Sequence, residues 1–139
     1  MLPLILYEST FRWAVSWRRA LRNAGLTCPI TETRALAACG EALALQPAAV
    51  VGIEVKAANL ANVLPQVVLW SRQFPSAVIL LLGNREMQEV EWELRDAGAH
   101  GVLLSRRDVP RWLSLVAGLT PPTVPDREKS PDELVVWPW

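Results

Sequence analysis

The stretch Ala77-Val78-Ile79-Leu80-Leu81-Leu82 decides the fold of this 139-residue chain. It is apolar throughout, preceded by Phe74-Pro75-Ser76 and closed by Gly83-Asn84. Six residues are far too few to cross a bilayer, which takes about 20 in a helix. A strand with one wet face would alternate polar and apolar side chains, and this one does not. A short apolar run bounded by turns is the pattern of a central strand covered on both faces, as in parallel sheets flanked by helices.

The segments on either side fit that frame. Leu4 to Tyr7 reads as a first buried strand, with Pro3 tolerated at its start. Ser9 or Thr10 is placed to cap a helix whose apolar stripe is Trp13, Trp17, Ala20, Leu21 and Ala24, ending at Gly25. Leu26 to Thr31, interrupted by Pro29, suits an edge strand. Thr33 to Gln46 is a helix with Ala35, Leu36, Cys39, Ala42 and Leu43 on its apolar face. Ala48 to Ile53 is a third strand, ending at Glu54. Val63, Val67 and Trp70 mark a helix over 63–74, and the opening strand follows it. Asn84 caps a helix from Arg85 to Ala97, acidic outside through Glu86, Glu89, Glu91 and Glu93. His100 to Leu104 is a fifth strand. The last helix opens at Ser105-Arg106-Arg107-Asp108 and packs through Trp112, Leu113, Leu115 and Val116. Strand and helix thus alternate five times, which predicts right-handed crossovers and one parallel sheet with helices on both faces.

Composition narrows the function. Lys and Arg together number 14, Asp and Glu 14, so the net charge is zero and bulk attraction to nucleic acid or an anionic membrane is not expected. Cys28 and Cys39 have only His100 as a possible companion, so no metal-ligand set exists and buried thiols in a reducing compartment are expected. The N-terminus lacks a basic leader region, Glu8 ends its apolar run, and a cytoplasmic location is expected. There is no Gly-rich phosphate loop and no Ser-His-Asp order, so neither an enzyme nor a bound cofactor is expected. Residues 1–119 form the domain. Residues 120–139, with Pro121, Pro122, Pro125, Pro131 and Pro138, read as an extended tail.

The five-fold order resembles the receiver domain of bacterial two-component response regulators, most closely in Ala97-Gly98-Ala99-His100-Gly101-Val102-Leu103. Cys39 to Leu43 running into Pro47 to Val51 is similar to that family's second helix and third strand. The resemblance covers about Leu4 to Leu119 and implies a flavodoxin-like (βα)5 doubly wound sheet. It also implies a phosphoacceptor pocket, with an acidic pair binding magnesium, an acceptor aspartate, a hydroxyl and a lysine. Those positions fall here on Glu8-Ser9, on Ile53 or Glu54, on Leu82 or Gly83, and on Ser105. The acceptor aspartate and the lysine are absent. Glu8 and Glu54 would stand at adjoining strand ends, as a weak cation site, a phosphoacceptor mimic or two solvated carboxylates.

The resemblance therefore implies a non-catalytic, phosphorylation-independent pseudo-receiver that binds a protein partner or itself in bacterial signalling or regulation. The alternative is a flavodoxin-like domain holding a small ligand at the strand ends. Receivers commonly dock through the face of helix four, strand five and helix five, here carrying Trp92, His100, Val102, Arg106, Arg107 and Trp112. The cluster Arg12, Arg18, Arg19 and Arg22 reads as a solvated helix face, since no second basic element accompanies it in sequence. The tail ends in an apolar hexapeptide with Val136, Trp137 and Trp139, an anchor for its own domain or for a partner.

Overall fold

A computed structural model describes residues 1–120. Strands β1 (Leu4–Tyr7), β2 (Ile30–Thr33), β3 (Val50–Glu54), β4 (Val78–Leu82) and β5 (Gly101–Leu103) form one sheet in the order β2-β1-β3-β4-β5. Every pairing is parallel, with Tyr7 opposite Ile53, Glu54 opposite Leu82 and Leu82 opposite Leu103. The connecting helices are α1 (Arg12–Asn23), α2 (Leu36–Leu45), α3 (Leu60–Gln73), α4 (Glu91–Asp96) and α5 (Val109–Val116). No helix among the described residues is long and apolar enough to cross a membrane.

Strand alternation splits the core into two layers. Leu4, Leu6, Val50, Val78, Leu80, Leu82 and Leu103 pack against Trp13, Trp17 and Leu21 of α1 and Leu113 and Val116 of α5. On the other face Ile5, Val51, Ile53, Ile79, Leu81 and Val102 pack against Cys39, Leu43, Val63, Val67, Trp70 and Leu94. The six residues of the opening stretch are buried on both faces, as their composition predicts. At about 1.5–3 kcal/mol for each fully buried Leu or Ile, this run is a large share of the driving force.

Two glycines let bulky groups close on the sheet. A Cβ on Gly52 would lie 2.7 Å from Leu6 Cδ2 and 2.9 Å from Leu82 Cδ1, so those leucines fill the space over β3. A Cβ on Gly101 would lie 2.2 Å from Trp112 Cη2, so the indole lies flat against β5.

Boundaries differ from expectation where backbone hydrogen bonding overrides side-chain pattern. The second strand is Ile30–Thr33, not Leu26 to Thr31. Pro29 has no N–H, and its carbonyl instead accepts from Leu4 N at 2.9 Å, so the ladder begins beyond it. Arg85 to Ala97 is not one helix but a 3₁₀ segment, Arg85–Val90, leading into the short α4. Only Met87 of the first part is fully buried, with Val90 packing partly against the same layer, and Glu86, Glu89 and Glu93 would repel at i,i+3 and i,i+4 in a continuous helix. On the first two helices Ala24 and Ala35 are exposed, and on α5 so is Leu115. The anchor residues Val136, Trp137 and Trp139 lie outside the described residues.

Burial pushes the Cys39 thiol up to about 12, against a smaller lowering from its hydrogen bond with Thr33. Thiol titration of the native protein at pH 8 should modify Cys28, which is half-buried, and spare Cys39 until denaturant is added. Gly101→Ala should lower stability in urea unfolding by about 1–3 kcal/mol, with Trp112→Leu in the same chain recovering part of the loss.

Candidate functional site

The carboxyl ends of β1, β3 and β4 bring Glu8, Ser9, Glu54, Leu82 and Gly83 to one rim, with Ser105 following β5. A cavity of about 290 Å³ opens there, lined by Thr10, Arg12, Trp13, Glu54, Val55, Lys56, Leu82, Gly83, Asn84, Leu104, Ser105 and Arg106. This is the position at which open α/β sheets bind ligands, where successive connections depart to opposite sides of the sheet.

Neither carboxylate is solvated, which corrects the expectation of loop-entrance acids. Glu8 is 0% exposed, and its oxygens accept from Trp13 N at 3.0 Å and Ala14 N at 2.8 Å. These are orphan N–H groups of the first turn of α1, whose N-cap position, Phe11, has no capping side chain. Glu8 therefore does the capping that was expected of Ser9 or Thr10. Burial pushes its pKa above the ordinary 4.5, against the lowering by the two backbone bonds, while the nearby Glu54 charge adds a smaller upward push.

Glu54, 8% exposed, is held differently. Its Oε1 accepts from Ser9 N at 3.0 Å and Ser9 Oγ at 2.8 Å. Lys56 Nζ donates to Ser9 Oγ at 2.9 Å and stands 3.4 Å from Glu54 Oε1. The loop is tied further by Asn59, whose Nδ2 donates to Glu54 O at 2.9 Å and whose Oδ1 accepts from Lys56 N at 2.7 Å. An ammonium, a hydroxyl and a backbone N–H thus converge on one oxygen of the carboxylate, Oε1. Lys56 and Asn59 lie outside the positions that the resemblance implies, which put the lysine after the fifth strand. The signal present was their position two and five residues beyond Glu54.

The remaining pocket positions are structural. Ile53 is fully buried on the opposite face, among α2, α3 and α4 side chains, whereas Glu54 lines the strand-end cavity. Leu82 is buried over Gly52. Gly83 N donates to Leu103 O at 2.8 Å, and Ser105 Oγ accepts from Arg107 N at 3.2 Å. Among the described residues no cluster of three or more His, Cys, Asp or Glu could hold a metal ion.

The expected docking face divides. Trp92 is 79% exposed, beside the Arg95–Glu91 pair at 3.0 Å, and Arg106 and Arg107 are exposed. Val102, by contrast, is 5% exposed and points into the α2–α4 layer, so it cannot contact a partner. Trp112 is half-buried against Gly101, the opposite layer from α4. His100 is half-buried; its Nδ1 accepts from Ile79 N at 3.0 Å while its own N–H donates to Ile79 O at 2.8 Å. The imidazole extends the β4–β5 ladder, and burial lowers its pKa, favouring the neutral ring that this bond needs.

The sheet order, the two helical layers and the strand-end pocket together are the fold of response-regulator receiver domains. Solved structures with this fold include a candidate pilus assembly protein (cpaE) from Burkholderia thailandensis, 20% identical with a TM-score of 0.66 over 86% of this chain and 100% of the other. A CheY-like protein (tadZ) from Pseudomonas aeruginosa matches at 16% identity and TM-score 0.65, over 90% of this chain and 100% of the other. The isolated receiver domain of RcsB from Salmonella enterica serovar Typhimurium matches at 18% identity and TM-score 0.68, covering 84% and 89% of the two chains. No protein-family profile matches the sequence, and no curated protein matches it in a sequence search.

Glu8→Ala should cost about 1–2 kcal/mol in denaturant unfolding, because it strands two buried N–H groups. Glu8→Gln should cost less. Since folding raises the Glu8 pKa, the contribution of Glu8 is greatest below its ordinary 4.5 and declines as pH rises through the folded value. The stability of Glu8→Gln relative to the unmodified protein should therefore improve as pH is raised from about 4.5, measured by urea unfolding across that range.

Proposed function

We propose that this chain is a pseudo-receiver: a protein-interaction module of bacterial signalling or regulation that works without phosphorylation and without catalysis. The observation that carries the reading is the state of Glu54, at the end of the strand where receivers place their phosphoacceptor. Its Oε1 is engaged by Ser9 N, Ser9 Oγ and the Lys56 ammonium. The only acid of the expected metal pair, Glu8, is spent on the N-terminus of α1. A divalent cation needs oxygen ligands free to converge, and a transferring phosphoryl group needs that cation and an opposing lysine. The resemblance puts the hydroxyl position on Leu82 or Gly83 and the lysine position on Ser105; Leu82 is packed in the core, Gly83 has no side chain and Ser105 Oγ is held in a turn.

Binding would fall to the exposed surface around α4. Trp92 is the large aromatic presented there, and aromatic anchors dominate interface energetics. The tail beyond residue 119 would supply a second anchor through Trp137 and Trp139, acting in the cytoplasm. Two of the fold's neighbours, the pilus assembly candidate and the CheY-like tadZ protein, make an assembly role one form this module could take. The strand-end cavity mixes polar residues with Trp13, Val55, Leu82 and Leu104 and is open to solvent, unlike the deep, enclosed apolar seat a flavin-type ligand requires.

Incubation with magnesium and acetyl phosphate should leave the intact mass unchanged, and magnesium with beryllofluoride should leave the tryptophan emission unchanged. A stoichiometric, magnesium-dependent adduct would overturn the reading. In pull-downs, Trp92→Ala and truncation after Leu119 should each reduce recovery of the partner; undiminished recovery by both would remove these surfaces from the proposal.

A further inference from the structure

We propose that the strand-end cleft reversibly binds a small phosphate-bearing anion, so that its charge preference is the reverse of a magnesium-binding pocket. Three cations from three separate segments line the 290 Å³ cavity: Arg12 at the start of α1, Lys56 after β3, and Arg106 after β5. Among the described residues its single acidic lining residue is Glu54, which is engaged by Ser9 and pairs with Lys56, so the excess positive charge rests on Arg12 and Arg106. Thr10, Asn84 and Ser105 add polar groups to the wall.

The cationic character continues on the α1 side of this cavity: a second, adjoining one, lined by Ser16, Arg19, Asn23, Ser105, Arg106 and Arg107, shares Ser105 and Arg106 with it and has no acidic lining residue among the described residues. On the other side, a third cavity that shares Asn84, Leu104 and Ser105 is of mixed charge, with Arg85 and Arg107 beside Glu86 and Asp108. The sequence alone places no basic element beside the α1 arginines, but folding sets Arg106 and Arg107 around the same cavity as Arg19. The whole chain is neutral, so this is local segregation of charge; Glu86, Glu89, Glu91, Glu93 and Asp96 gather in the segment that leads into and forms α4.

Guanidinium forks bind phosphate oxygens through paired, charge-assisted hydrogen bonds, and a lysine serves as an adjacent point charge. A divalent cation would meet these same groups as repulsion. The cavity volume lies at the low end of small-molecule sites, which limits the ligand in the first cavity to a phosphate group and a few further atoms. A polar extension of such a ligand would enter the Arg19–Arg107 cavity. This goes beyond the interaction reading and stands on charge and geometry whether or not Trp92 or the tail binds a partner.

The test is an amide-resolved NMR titration of the full-length chain at constant ionic strength, with sodium chloride replaced by inorganic phosphate, by glycerol 3-phosphate or by magnesium chloride. Saturable shifts localised to Ser9, Lys56, Gly83, Asn84, Ser105 and Arg106 are expected with phosphate or its ester, and none with magnesium at these amides. Tighter binding of the ester than of inorganic phosphate identifies an organic ligand reaching the second cavity; the opposite order identifies the free ion. Arg106→Gln, in an exposed turn, should weaken binding roughly tenfold, the loss of one charge-assisted hydrogen bond. Arg22→Gln, on α1 outside both cavities, should leave it unchanged. Shifts that never saturate, that spread over the surface, or that persist at full strength in Arg106→Gln would overturn the proposal. Dialysis restoring the original spectrum and mass keeps this outcome separate from covalent phosphorylation.

Discussion

Burial of the central strands on both faces is the constraint from which the rest of the structure follows. β1, β3 and β4 carry apolar side chains up and down, and a polar group inside either layer would need a partner that the layers do not offer. Polar chemistry is therefore pushed to the strand ends, where backbone turns into loop and helix. Glu8 and Glu54 stand at that boundary, and each meets N–H groups released by the change of direction. The pocket is thus a by-product of how the chain leaves its sheet.

That origin explains what was legible in sequence. Uniformly apolar runs such as Ala77 to Leu82, separated by helical stripes, identify the sheet and its parallel order because burial demands them. Trp13, Trp17, Val63, Val67 and Trp70 were legible as core for the same reason. Element ends were less so. They depend on single backbone bonds, such as the Pro29 carbonyl accepting from Leu4. That Glu8, Glu54 and Gly83 share one rim was legible from the strand order, but their bonds were not. Nothing in the spacing says that Glu8 turns toward α1 while Glu54 turns toward Ser9, or that Lys56 folds back over both loops.

Surface readings divided along the same line. Trp92 is exposed because its neighbours are charged and only Leu94 in α4 enters the core. Trp112 is half-buried because Gly101 leaves room for a ring. One-dimensional composition distinguishes the two poorly, since both lie in mixed stretches. Likewise the arginines of α1 acquire company only through the approach of the β5–α5 turn.

The fit of Leu6 and Leu82 over Gly52 bears on how such a chain can change. Converting Leu82 alone to a hydroxyl residue would leave a void above β3 and a polar group facing hydrocarbon, two penalties at once. Enlarging Gly52 alone would drive a methyl group into both leucines. Each single step is downhill in stability, and enlarging Gly52 while trimming Leu82 still leaves Leu6 in the way. The packing works as a ratchet: a hydroxyl residue in place of Leu82 cannot be introduced without passing through a weaker protein.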